Sequence, residues 1–128
     1  MTRIPGVGIV PIYAVWQQYA KALGTHKVPV PAPTASGLGY LTDRGDFAAG
    51  CCFFPADRLI VAEFLVTNPE IPMWERHHAV VEMAKAFQTH AIGSGKTPWV
   101  MVRHRGLARA IERAGFKSNG AVCYTGRW

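Results

Sequence analysis

The run RLIVAEFLV, residues 58–66, is the stretch of this chain hardest to place anywhere but inside a sheet. It has the length of a strand and lacks the polar alternation of a strand with one wet face, so it demands cover on both faces. Glu63 alone breaks the apolar run. Two further strand-like runs precede it, LGYLTD (38–43) and FAAGCCFF (47–54), joined by the turn residues Asp43-Arg44-Gly45-Asp46. Pro55-Ala56-Asp57 makes the next turn. Residues 38–66 therefore read as an antiparallel meander.

Outside the meander the apolar period is helical. Ile12, Val15, Trp16, Tyr19 and Leu23 share one helix face, and Gly24 is a stop signal. Pro29, Pro31 and Pro33 make the following stretch an extended connection. After the loop TNPEIPMWE, a helix over 76–92 buries Val80, Met83, Ala84 and Phe87, and Gly93-Ser94-Gly95 ends it. PWVMV (98–102) is a short strand, and 105–114 a helix with Leu107, Ala108, Ile111 and Ala114 inward and Gly115 as its cap. GAVCYTG is a last strand. Strand–helix–strand–helix–strand after a meander predicts a mixed α/β sheet with at least one parallel crossover. The 128 residues suit one domain: an N-terminal segment with a helix (1–24), a proline-rich connection (25–37) and a core (38–128).

Composition narrows the class. A hydrophobic fraction of 49% with 17% charged residues is globular, and a net charge of +6 favours anionic partners without choosing among them. Cys51, Cys52 and Cys123 are an odd set in apolar surroundings, which reads as core thiols in a reducing compartment. The start, MTRIPGVGIVPIYAVW, has the apolarity of a signal peptide, but Pro5 and Pro11 interrupt it and Gln17-Gln18 follow. The expected location is cytoplasmic. No run approaches the roughly 18 apolar residues of a membrane span.

The order of these elements resembles the GNAT superfamily of N-acetyltransferases. IVAEFLVTNP matches the family's fourth strand, RHHAVVEMAKAFQTHAIGSGK the helix after it, WVMVRH the fifth strand, and GLARAIERAGF the next helix, with Arg113-Ala114-Gly115-Phe116 as its ending. The likeness covers roughly residues 36–125. It implies a mixed, mostly antiparallel sheet flanked by helices. The 58–66 strand should be central, antiparallel to 47–54, and should splay from a parallel strand at 99–103. It also implies acetyl-CoA, or coenzyme A, in the V between those last two strands, with an amine as acceptor.

In that family the pyrophosphate meets the start of the helix after strand four, where free N–H groups and the helix dipole attract anions. Carried onto this chain, the cofactor-binding residues are Leu65, Val66, Arg76, His77, His78, Ala79 and His104, with the amides of 76–79 at the phosphates. Trp74 and His77 depart from the family's loop, His77 standing where a glycine is usual. Ile111 stands at the frequent tyrosine acid, and His104 where an Asn often meets the pantetheine arm. Small proteins with this arrangement also occur in tailed bacteriophages. The alternative reading is a catalytically degenerate binding or structural protein, in a virion or against a host protein.

Glu63 is the candidate catalytic residue. Flanked by Ile60, Val61, Phe64 and Leu65, its carboxylate would be desolvated and so a better base for an acceptor amine. Pairing with Arg58 or Arg103, or a solvated place on the strand, is the plain alternative. His77 and His78 point about 100° apart on a helix and cannot chelate one ion together. His78 and Glu82 share a face but supply only two ligands, so no metal site is expected. They read instead as polar first-turn residues or anion contacts. Arg105, Arg109 and Arg113 recur every four residues as a basic stripe. It reads as a solvated face, as a contact for the 3′-phosphate of coenzyme A, or as a surface for an acidic protein partner. Without interleaved aromatics it suits nucleic acid poorly.

Overall fold

The computed structural model describes residues 8–25, 36–102 and 105–117. Its elements are β1 (Gly8–Pro11), a 3-10 turn (Ile12–Val15), α1 (Trp16–Thr25), β2 (Ser36–Leu41), β3 (Phe47–Pro55), β4 (Leu59–Thr67), α2 (Met73–Gly93), β5 (Thr97–Val100) and α3 (Arg105–Arg113). The sheet order is β1-β2-β3-β4-β5. The first three pairings are antiparallel, and β4 pairs β5 in parallel through the α2 crossover. The architecture is a mixed α/β, mostly antiparallel open sheet with three α-helices among the described residues.

The run that demanded cover on two faces has a core on each, the α1 side being covered only in part. One core lies between the sheet and α2 with α3, where Phe53, Ile60 and Ala62 meet Val80, Met83, Phe87 and Ile111. The other lies under the 3-10 turn and α1, where Ile12, Val15, Tyr19 and Leu23 meet Phe47, Cys52 and Val66. Seven consecutive residues of β3, Phe47 to Phe53, are buried. Such a strand needs small side chains where a helix crosses it. At Gly50 an added Cβ would lie 2.6 Å from the Tyr19 ring and 3.0 Å from Ile12.

The turns follow their residues. The buried Thr42 Oγ1 accepts from the amides of Arg44 (3.3 Å) and Asp46 (3.1 Å), and Gly45 supplies the positive φ, at 85°. Gly95 ends the α2 region at φ 71°, with the Lys96 amide donating back to the Ala91 carbonyl at 2.9 Å. The Lys96 ammonium then donates to the carbonyls of Ala56 (2.6 Å) and Asp57 (3.0 Å), tying the start of β5 to the β3–β4 turn. No helix among the described residues is long and apolar enough to cross a membrane.

Several boundaries differ from expectation: β2 runs over 36–41 rather than 38–43, and β5 over 97–100 rather than 98–102. β1 was missing from the sequence reading, because four residues ending in Pro11 carry too little pattern to count as a strand. The first helix runs past Gly24 to Thr25 and begins as a 3-10 turn. α2 begins at Met73 rather than Arg76, since Pro72, which has no N–H to lose, precedes its first turn. The expected last strand, GAVCYTG, lies outside the described residues.

Candidate functional site

The site begins with an irregularity in β4. Cys52 pairs with Glu63 and Gly50 with Val66, so Phe64 and Leu65 together stand opposite Cys51. This is a β-bulge. Phe64 takes φ 56°, the only positive value among the described residues other than glycine. A bulky residue in that region is strained. What holds it is α1: the Tyr19 hydroxyl donates to the Phe64 carbonyl at 2.8 Å and lies 3.4 Å from Cys52 Sγ. Tyr19 is fully buried. Burial pushes the Tyr19 hydroxyl far above its usual range, with the Cys52 contact adding to the effect.

Beside the bulge the pairing of the two parallel strands ends. Paired residues run from Leu59 with Thr97 to Ala62 with Val100, and the Met101 amide adds a 3.0 Å bond to the Ala62 carbonyl. From Glu63 to Thr67, β4 has no paired residue on the β5 side among the described residues. Below this gap, on the α2 side, lies an apolar cavity of about 20 Å³. Leu65, Ala62, Val100, Val80, Met83 and Ile111 are among its lining residues.

The expected site residues divide between the two faces of the sheet. Ile60 and Ala62 belong to the α2-side core and Cys52 to the α1-side core. Glu63, level with Cys52, therefore projects on the α1 side. It is half-buried and makes no ion pair among the described residues; Arg103, one suggested partner, lies outside them. Leu65 faces the cavity, and Val66 is buried on the α1 side.

The early start of α2 moves its free amides. The Arg76 amide already bonds the Pro72 carbonyl at 3.0 Å, so the unpaired N–H groups of the first turn belong to Met73, Trp74 and Glu75. The amides of 76–79 are consumed inside the helix, and Ala79 is fully buried. This corrects the expected backbone grip. Glu75 itself sits in the first turn, and Arg44 donates to its carboxylate at 3.3 and 3.4 Å. Arg44 also lies 3.5 Å from Asp46, and Glu75 first, then its other carboxylate neighbours, raises the guanidinium's proton affinity.

The side chains of this turn do different work. His78 meets the Tyr40 ring edge-on at 6.0 Å and so turns toward β2. Arg76 Nε and His77 Nε2 are buried without a hydrogen-bond partner among the described residues. These two nitrogens lie one turn before Val80, which lines the cavity. His104 lies outside the described residues. Among the described residues no three His, Cys, Asp or Glu side chains are gathered as metal ligands.

The buried thiols have no adjacent base. Burial pushes Cys51 up to about 12. It raises Cys52 too, partly offset by the Tyr19 hydroxyl. Sequence spacing missed the roles of Tyr19, Cys52 and Phe64, because nothing in the apolar pattern VAEFL announces a positive φ. No family model, curated protein or solved structure matches this chain.

Proposed function

We propose that this chain transfers an acetyl group from acetyl-coenzyme A to an amine, as its resemblance to the GNAT superfamily implies. The observation that carries the reading is the end of β4–β5 pairing, among the described residues, beside the bulge at Phe64 and Leu65. An opening there would join the two faces of the sheet. The acyl donor would approach from the α2 side and the amine from the α1 side, where Glu63 projects.

Acetyl-coenzyme A supplies an activated carbonyl and a good leaving group. Leu65 and the cavity offer a small apolar seat for the acyl group. Arg76 and His77 suit the pyrophosphate through side chains rather than amides, since each carries a buried nitrogen that an anion would satisfy. Backbone N–H groups of β4 past the bulge would polarise the thioester carbonyl. Glu63 takes the proton the amine loses as the C–N bond forms and the C–S bond breaks; solvent returns a proton to the departing thiolate.

A second reading has its own support. Glu75 and Arg44 already neutralise the start of α2, and Arg105, Arg109 and Arg113 are exposed without ion pairs among the described residues. Both features suit a catalytically silent protein of the same shape that binds an acidic partner, as in a phage particle. The two readings separate on turnover. Thiol release from acetyl-coenzyme A over a panel of amines should fall on the order of 10²-fold in Glu63→Gln, with the concentration dependence on acetyl-coenzyme A nearly unchanged. Equal turnover in both proteins would remove Glu63 from the mechanism; no turnover in either would favour the binding protein.

A further inference from the structure

The α1 side of the sheet is only partly covered. α1 packs over Cys52 and Val66, but toward the β3–β4 turn the same face carries exposed side chains that no helix among the described residues covers. Strand alternation and register identify them. Phe53, Ile60, Ala62 and Val100 belong to the α2-side core, so Phe54, Val61 and Trp99 project on the opposite side. Phe54 pairs with Val61, and Val61 with Trp99, in one row across three strands. Glu63 stands two residues further along β4 on the same side, diagonal to both rings, and such diagonals are within reach of aromatic side chains. The bulge adds a third ring: Phe64 leans back to meet Phe54 edge-on, with centroids 5.8 Å apart.

Phe54 is 36% exposed and Trp99 41%. Large side chains left open at the centre and edge of a sheet, around a half-buried carboxylate without an ion pair among the described residues, form an uncommon combination. Rings alone would fit any apolar partner. A carboxylate in their midst penalises a neutral apolar partner, because that partner would bury the charge unpaired. An ammonium satisfies the carboxylate, and its adjoining carbons lie against the ring faces, which attract cations.

We infer that this face is the acceptor subsite and that it selects an arylalkyl or similarly bulky apolar amine, with Glu63 at the nitrogen and Trp99, Phe54 and Phe64 against the carbon body. The inference rests on the proposed acetyl transfer for its chemistry, but the recognition it describes does not require turnover. Highly charged polyamines and amines on acidic or sugar scaffolds fit the patch poorly, since it offers one carboxylate and otherwise apolar surface.

Binding of 2-phenylethylamine is the test, by calorimetry on the whole protein, alone and with saturating unacetylated coenzyme A. Wild type should bind it in at least one condition. Glu63→Gln and Trp99→Ala should each weaken it about tenfold or more, Trp99 being an exposed residue whose loss leaves the core intact. 2-Phenylethanol should bind weakly and gain nothing from Glu63; n-butylamine and spermidine should bind less well than the aryl amine. Failure to bind in both conditions overturns the inference, as does wild-type affinity in either variant or a preference for spermidine. Heats that track protein concentration rather than amine would assign the face to self-association and overturn it as well. A protein that binds the aryl amine through Glu63 and Trp99 yet never consumes acetyl-coenzyme A would keep this subsite and lose the transferase reading.

Discussion

Phe64 shows how one residue can carry a site that its sequence hides. Its φ of 56° costs about 1–3 kcal/mol, typical of backbone held in a sparsely populated region. The strain persists because the buried Tyr19 hydroxyl fixes its carbonyl at 2.8 Å. Glu63 was legible as the one polar residue in an apolar strand. Phe64 was not, since an aromatic in a strand is unremarkable until its backbone is seen. The cysteines were legible as core thiols, and their protonation follows from burial. Cys51 is pushed up to about 12, so almost no thiolate exists at pH 8. In a Cys123→Ser protein, iodoacetamide should leave Cys51 and Cys52 unmodified under native conditions and alkylate both in guanidinium; rapid native alkylation would contradict their inert role. The sign of the pH effect is fixed too. Cys51 ionises near 9.0 when unfolded, and burial raises it in the folded state, as it raises Tyr19 from 10.0. Stability from these groups is full below about pH 9 and is lost as pH rises toward 12, so the melting temperature should drop across that window.

At the scale of elements, periodicity located the meander, the long helix and the last helix, because each buries a face of many residues. It failed where elements are short or where ends are set by a neighbour. β1 has four residues and a proline, and it exists because β2 offers an edge to pair with. The start of α2 depended on whether Met73, Trp74 and Glu75 continue the chain as loop or helix. Trp74 is 72% exposed there, so burial left no apolar pattern to read. That shift of three residues changes which amides are free, and with it the chemistry an anion would meet. Packing of α1 on β3 has a direct test. Gly50→Ala would press a methyl to 2.6 Å from the Tyr19 ring, which is fully buried and tied at its hydroxyl. Urea denaturation should show a loss of about 1–3 kcal/mol, as overpacking of tight cores does. Gly24→Ala, with nothing within 4 Å and a helical setting, should leave stability unchanged or raise it by up to about 1 kcal/mol. Equal effects at the two positions would contradict the close approach.

At the scale of the whole molecule, a sheet with a core on each face separates two approaches to the point where β4–β5 pairing ends. Glu63 stands on one side; the apolar cavity and the buried nitrogens of Arg76 and His77 stand on the other. A reaction between an activated acyl group and an amine uses such a division, since the two reactants meet only at that point. Mixed α/β architecture was legible from element order, because a meander followed by alternating helix and strand leaves few other arrangements. The division of the site was not, because it depends on the bulge that keeps Phe64 on the α1 side with Glu63 and turns Leu65 to the other. The most direct test of this account is a thermal melt of the folded protein with acetyl-coenzyme A, checked by calorimetry. At about 100 times its dissociation constant, a ligand that binds only the folded state stabilises it by roughly 2.7 kcal/mol. Acetyl-coenzyme A should therefore raise the melting temperature, and Arg76→Ala should reduce the shift. A flat melt and a flat titration at millimolar acetyl-coenzyme A would contradict the transferase and leave the partner-binding protein.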